Sequence, residues 1–121
     1  MAKIDYFERK LDDKRRLTIP AELRAEFSDG VVVTRGFGQY LHLYPKNIWD
    51  EDMETALEGD ILSEQIADLN EKFRVGKTEV ELDQKQGRIT FAKEQLDFAK
   101  ITDSSDVIAV RVGKYWRLRS K

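Results

Sequence analysis

No cysteine occurs among the 121 residues, and there is a single histidine. The first absence excludes a disulfide framework and any thiolate metal site or nucleophile. The second leaves too little for a zinc centre or a Ser-His relay, so neither cofactor nor metal is expected. Long apolar runs are also missing. The longest, Val107 to Val110, is far short of a membrane span, and Asp5 and Glu8 stand where a signal peptide needs an apolar core. A soluble, cytoplasmic protein without a membrane partner is the expectation. An excess of positive charge is lacking as well, with 21 Lys+Arg against 23 Asp+Glu, which at first argues against nucleic acid.

That average conceals a segregation. From Asp50 to Glu71 there are nine acidic residues and no basic one, and the other 99 residues carry a charge of +7. The last eleven residues hold Arg111, Lys114, Arg117, Arg119 and Lys121 without an acid. Either the chain has one basic face and an acidic element kept away from it, or the acidic stretch is an ordinary solvated helix face.

The two halves of the chain match. Leu11-Asp12-Asp13-Lys14-Arg15-Arg16-Leu17-Thr18-Ile19-Pro20, followed by Ala21-Glu22-Leu23, parallels Leu82-Asp83-Gln84-Lys85-Gln86-Gly87-Arg88-Ile89-Thr90-Phe91-Ala92, followed by Lys93-Glu94-Gln95-Leu96. Further on, Gly38-Gln39-Tyr40-Leu41-His42-Leu43 aligns with Gly113-Lys114-Tyr115-Trp116-Arg117-Leu118. Within each copy the periodicity predicts strand, charged turn, strand, short helix and hairpin. Strands are expected over 6–11, 16–19, 31–34 and 40–44, and again over 78–82, 88–91, 107–112 and 115–118. The short helices fall at 21–27, with Pro20 at its first position, and at 93–99. Between the copies lie two amphipathic acidic helices separated by Gly59. One is capped by Asn47 and carries a Trp49, Met53, Leu57 stripe; the other runs from Ile61 to Phe73 with Leu62, Ile66, Leu69 and Phe73 on one face. Each repeat alone is too small for a core, so a mainly β protein with short helices (α+β) is expected. It forms one pseudo-twofold unit over 1–121, a barrel of about eight strands. Its parts are a first repeat at 5–46, an acidic helical linker at 47–75 and a second repeat at 76–119.

A strand, an Asp-x-x-x-Arg turn, an apolar-Thr-apolar strand and Pro20-Ala21-Glu22-Leu23-Arg24 resemble the AbrB-type swapped-hairpin DNA-binding unit. Two such units in one chain resemble the MraZ family, bacterial transcriptional regulators of division and cell-wall genes. Val33-Thr34-Arg35-Gly36, Leu43-Tyr44-Pro45 followed by Trp49, and Glu79-Val80-Glu81-Leu82-Asp83 continue the likeness in order. The sequence departs from the family pattern at Arg15, where glycine is usual, at an extra residue between Asp83 and Arg88, and at Ala92 in place of proline. It also stops at Lys121, where the family continues into a helix. The resemblance implies a double swapped-hairpin β-barrel, self-association in a ring, and binding to repeated elements in promoter DNA.

The barrel would place both motif turns at one end and bring Lys14, Arg15, Arg16, Lys85 and Arg88 together as the DNA-binding set. Lysine acts as a point charge on phosphate, whereas the arginine fork can take a guanine edge bidentately, so Arg16 and Arg88 are the candidates for base reading. Asp12 and Asp83 would repel phosphate and are expected to turn inward, holding the turn or orienting a guanidinium. Ordinary polar turns with solvated charges are the alternative. Arg9, Lys10 and Arg24 would tune the general field. Among other candidates, Asp12-Asp13 and Asp83 lack the cleft and partner that acid/base chemistry needs. His42, between Leu41 and Leu43 on a strand, is expected to be exposed or locally bonded. Tyr115-Trp116 is expected to pack on the core or a neighbouring subunit rather than stack on a base. Turn geometry accounts for Gly36 and Gly38. The leading expectation is a sequence-specific DNA-binding transcriptional regulator, a repressor of division and cell-wall genes, non-enzymatic, nucleoid-associated and without a small-molecule substrate. The alternative is an antitoxin-like interaction protein whose acidic helices grip a basic partner; an enzyme ranks third.

Overall fold

The computed structural model describes residues 4–121, so the first three residues of the unit expected over 1–121 lie outside the described residues. The described residues form eight strands: β1 (Tyr6–Lys10), β2 (Arg16–Thr18), β3 (Val31–Arg35), β4 (Leu41–Pro45), β5 (Thr78–Val80), β6 (Arg88–Thr90), β7 (Asp106–Val112) and β8 (Tyr115–Ser120). The repeat is legible in three dimensions. β1 to β4 recur as β5 to β8, and the 3₁₀ helix Ala21–Phe27 recurs as the α-helix Lys93–Ala99, here α4.

The strands pair across the halves. β1 runs antiparallel to β7, β5 to β3, and β2 to β6. Six strands form one sheet in the order β1-β7-β8-β4-β3-β5, while β2 and β6 make a separate ribbon. The ladder therefore does not close as the barrel expectation has it, because β1 and β5 remain edges. The main core draws on both halves, with Phe7, Leu17, Phe27 and Val33 packed with Ile89, Leu96, Val107 and Trp116. Alternation explains this: β8 buries Trp116 and Leu118 and turns Tyr115, Arg117 and Arg119 the other way.

The opposite face of the sheet carries the acidic linker. Val32 and Tyr44 meet Trp49, Leu57 and Phe73 in a second core. Helix leaves β4 directly at α1 (Lys46–Ile48), winds through a π turn at Trp49–Met53 and continues as α2 (Glu54–Glu58). Pro45 (φ −53°) sets the entry, so Asn47 lies inside the helix and is not its cap. Similarly, Pro20 stands just before its helix and not at the first helical position. α3 (Glu64–Arg74) begins three residues later than expected because the Ser63 hydroxyl caps it, accepting from the Ile66 N–H at 3.3 Å. Ile61 and Leu62 consequently lie in the preceding turn, and of the expected stripe Phe73 is buried while Ile66 and Leu69 are half-buried. Among the described residues no helix is long and apolar enough to cross a membrane.

Candidate nucleic-acid interface

The β2–β6 ribbon is the frame of the site. Leu17 pairs with Ile89 and both are buried, so the flanking residues face outward: Arg16 and Thr18 from one strand, Arg88 and Thr90 from the other. The register sets Arg16 opposite Thr90 and Thr18 opposite Arg88. The arginines are thus diagonal neighbours, roughly 7–8 Å apart by sheet geometry. Each motif turn joins one end of the ribbon, since Phe91 N–H donates to Arg15 O and Ile19 N–H to Gly87 O, both at 2.9 Å.

Both aspartates turn inward. Asp12 Oδ1 accepts from the backbone N–H of Lys14 and of Arg16, each at 2.9 Å, and its Oδ2 accepts from Arg16 Nε at 2.7 Å. Asp83 repeats the arrangement on a longer turn: Oδ1 accepts from the N–H of Lys85 (3.1 Å) and Gln86 (2.7 Å), and Oδ2 from Arg88 N–H (3.0 Å) and Nε (2.9 Å). Burial raises the Asp12 pKa, but the hydrogen bonds from Arg16 and Lys14 outweigh it and hold the carboxyl below its ordinary range. At Asp83 the Arg88 guanidinium and then the Gln86 N–H push the pKa well down. Both carboxylates stay ionised and fix their arginines through Nε. Among the described residues the outer nitrogens of Arg16 and Arg88 make no hydrogen bond, and only Nε of each is engaged.

The five expected residues are not brought together equally. Arg16 and Arg88 share the ribbon face, and Lys14 and Lys85 are exposed on the turns at its two ends. Arg15 diverges. Its backbone takes φ +62°, the left-handed conformation that Gly87 (φ +65°) occupies in the second turn. Its Nε donates to Phe91 O at 3.1 Å, and it lines a cleft with Lys93, Asp97 and Asp103. Arg24 has a more specific role than a general field: it donates to Ile19 O (3.1 Å) and Gln86 O (2.9 Å) and lies across Gly87, pinning the second turn to the first helix. Ala92 adopts φ −71°, ψ 146°, close to Pro20 at −54° and 143°, so the exchange keeps the backbone. Its regained N–H donates to Gln95 Oε1 at 3.1 Å. Thr18 and Thr90 were not singled out as site residues, although their place two residues beyond each arginine on a strand puts them on the same face.

The other expectations fare differently. His42 is locally bonded, as one of its two expected states has it, with Nδ1 at 2.9 Å from Tyr44 Oη, and it is fully buried, its ring against Phe37, Phe73 and Tyr115. Burial, then the nearby charges of Arg117 and Lys72, push its pKa down to about 4. Gly36 has φ −122° and owes its identity to close approach, because a Cβ there would collide with the His42 ring. Gly38, at φ +65°, is the turn glycine. Trp116 packs on Phe7 in the core and Tyr115 on His42 and Tyr44.

Residues 6–67 match the family model described as "MraZ protein, putative antitoxin-like". The chain is 36% identical over 99 residues to "Transcriptional regulator MraZ" of Roseiflexus castenholzii, covering 82% of this chain and 68% of the relative. It is 37% identical over 101 residues to the protein of that name from Herpetosiphon aurantiacus (84% and 70%) and 31% identical over 114 residues to that of Kineococcus radiotolerans (92% and 78%). A family model matched over half of the chain, and relatives this similar over more than four-fifths of it, establish that the chain belongs to the MraZ family.

Proposed function

We propose that the chain is a sequence-specific DNA-binding transcriptional regulator, a repressor of division and cell-wall genes that occupies repeated promoter elements as an oligomer. It acts in the cytoplasm, at the nucleoid, without catalysis. The two repeats and the linker work as one unit, in keeping with a core shared between the halves. The observation that carries the reading is the pair Arg16 and Arg88, set diagonally on one ribbon and each held at Nε by its own aspartate. A guanidinium tethered this way presents its two outer nitrogens, which suits the O6 and N7 acceptors of guanine in the major groove. Lys14 and Lys85 add phosphate contacts at either end. That relatives are named transcriptional regulators supports the same reading.

The test compares promoter DNA with random duplex in fluorescence anisotropy. Arg16→Ala or Arg88→Ala should cost about 1 to 3 kcal/mol on the specific site and reduce discrimination, whereas Lys14→Ala or Lys85→Ala should weaken both duplexes alike. Arg16 should matter more, because the second turn carries one more residue between its aspartate and its arginine. A folded double variant that binds promoter DNA as tightly as the parent would overturn this assignment and move recognition to the acidic helices, as a grip for a basic partner.

A further inference from the structure

Each motif turn is tied to the opposite repeat by a guanidinium, and the two guanidinium groups arrive from opposite sides. At the second turn, Arg24 of the first short helix donates from Nε to Ile19 O (3.1 Å) and from an outer nitrogen to Gln86 O (2.9 Å), while Ile19 N–H donates to Gly87 O. At the first turn, Arg15 itself donates from Nε to Phe91 O (3.1 Å), while Phe91 N–H donates to Arg15 O. Ile19 and Phe91 are equivalent, since each is the buried residue that follows a ribbon threonine, Thr18 or Thr90. The same carbonyl is therefore capped in both halves, once from a helix and once from a turn.

The residues that permit this are exchanged between the repeats. Gly87 and Arg15 directly precede Arg88 and Arg16 and share the left-handed conformation, at φ +65° and +62°. Arg24 and Asp97 directly follow the core leucines Leu23 and Leu96 of their helices. One joint thus pairs a turn glycine with a helix arginine, and the other a turn arginine with a helix aspartate. Sterics make these two solutions exclusive. A Cβ at Gly87 would collide with the Arg24 side chain, so a turn that carries a side chain needs a helix without that arginine. Asp97 meets the condition: its carboxylate is engaged by Lys93 Nζ at 3.0 Å, and Arg15 lines the same cleft. Arg15 also bears the cost of a left-handed angle that glycine would avoid, and the bond to Phe91 O offsets it.

We propose that Arg15 and Arg24 are matched positioning residues, each fixing one motif turn against the other repeat and so aiming the neighbouring Arg16 or Arg88, with Arg15 and Asp97 together replacing the glycine and arginine of the other joint. The aiming rests on the proposed DNA binding, whereas the joint itself does not.

Hydrogen exchange on the free protein tests the joint, because the Phe91 N–H reports the first turn and the Ile19 N–H the second. Arg15→Gly should speed exchange at Phe91 by roughly tenfold, as loss of an ordinary hydrogen bond implies, and leave Ile19 unaffected. Arg24→Ala should do the reverse. Glycine suits the angle at 15, so strain is not the cause of the loss. Adding Asp97→Arg to Arg15→Gly rebuilds the other joint's pair and should restore protection, whereas Asp97→Lys supplies the charge without the planar fork and should not. Unchanged Phe91 exchange in Arg15→Gly overturns the joint. So does a double variant with Asp97→Arg that circular dichroism shows folded and that gains no protection, or equal rescue by Asp97→Lys. Fluorescence anisotropy tests the aiming: preference for promoter over random duplex should fall several-fold in Arg15→Gly and return with Asp97→Arg. Equal weakening on both duplexes would overturn the aiming and make Arg15 a phosphate contact. A parent without preference for promoter DNA would overturn the DNA reading and the aiming with it, while exchange still decides the joint.

Discussion

Acidification should weaken the fold in a window belonging to one side chain. His42 is the only histidine. It is fully buried, it meets Tyr44, Tyr115, Phe37 and Phe73, and the charges nearest it are the cations Arg117 and Lys72. Its pKa is about 4 in the folded chain against the ordinary 6.5. Above pH 6.5 the ring is neutral in both folded and unfolded chains and stability does not depend on it. Between 6.5 and 4 the unfolded chain takes up the proton and the folded chain does not, so stability falls by about 1.4 kcal/mol per pH unit. At pH 5 the loss is about 2 kcal/mol and at pH 4 about 3, where it levels off. With a urea dependence of about 1–3 kcal/mol per molar, the unfolding midpoint should drop by roughly 1 M between pH 7.5 and 5. The carboxylates whose pKa is lowered, Asp12, Glu54 and Asp83, add their own loss only as the pH nears their ordinary range around 4. Urea titrations at four pH values, repeated on His42→Phe, check this. Coincident midpoints at pH 7.5 and 5, or an unchanged pH slope in His42→Phe, would refute the reasoning.

Three further outcomes follow from particular contacts. Gly36→Ala drives a methyl into the His42 ring and should cost about 1–3 kcal/mol in thermal or urea unfolding, as overpacking does. Gln95→Ala should cost a similar amount, about 1–3 kcal/mol. Its amide nitrogen serves Val33 O, Gly76 O and Thr78 Oγ1 and its carbonyl serves Ala92 N–H, and the substitution leaves the buried Val33 O and the part-buried bonds without that partner. DNA affinity should fall steeply with salt despite the acidic composition. If each subunit neutralises about four phosphates, the slope of log K against log salt is about −3.5, measurable by anisotropy across a salt series.

Much of this architecture was legible because the chain states it twice. The paired motifs located all eight strands and both short helices, and the inward turn of Asp12 and Asp83 followed from the cost of leaving carboxylates toward phosphate. The left-handed angle of Arg15 fits the glycine that is usual in the family at that position. What escaped has a common physical origin, the second layer. Alternation on β4 sets His42 on the face opposite Leu41 and Leu43, which would mean exposure in a sheet covered on one side. Here the linker helices cover that other face, so His42 is as buried as its neighbours, and Gly36 is kept small by the ring instead of by a turn. The start of α3 was misplaced because Ile61 and Leu62 fit the helical period, while the local hydrogen bonds of Asp60 and Ser63 overrode it. Strand closure depends on which edges meet, and period-2 patterns carry no information about that.

The exchange of strands between the halves also governs how the chain comes into being. The β3–β4 hairpin can close as soon as it is synthesised, but β1 pairs with β7, and Tyr6 waits for Val110. At ordinary elongation rates of about 5–20 residues per second, that interval is roughly 5 to 20 s. During it the inward residues Phe7 and Leu11 have no core, because half of that core has not been made. The Arg16 strand likewise has no β6 to lie against until Arg88 to Thr90 appear. A nascent or truncated first half is therefore an open-edged sheet that needs protection, and not a weaker version of the binding surface.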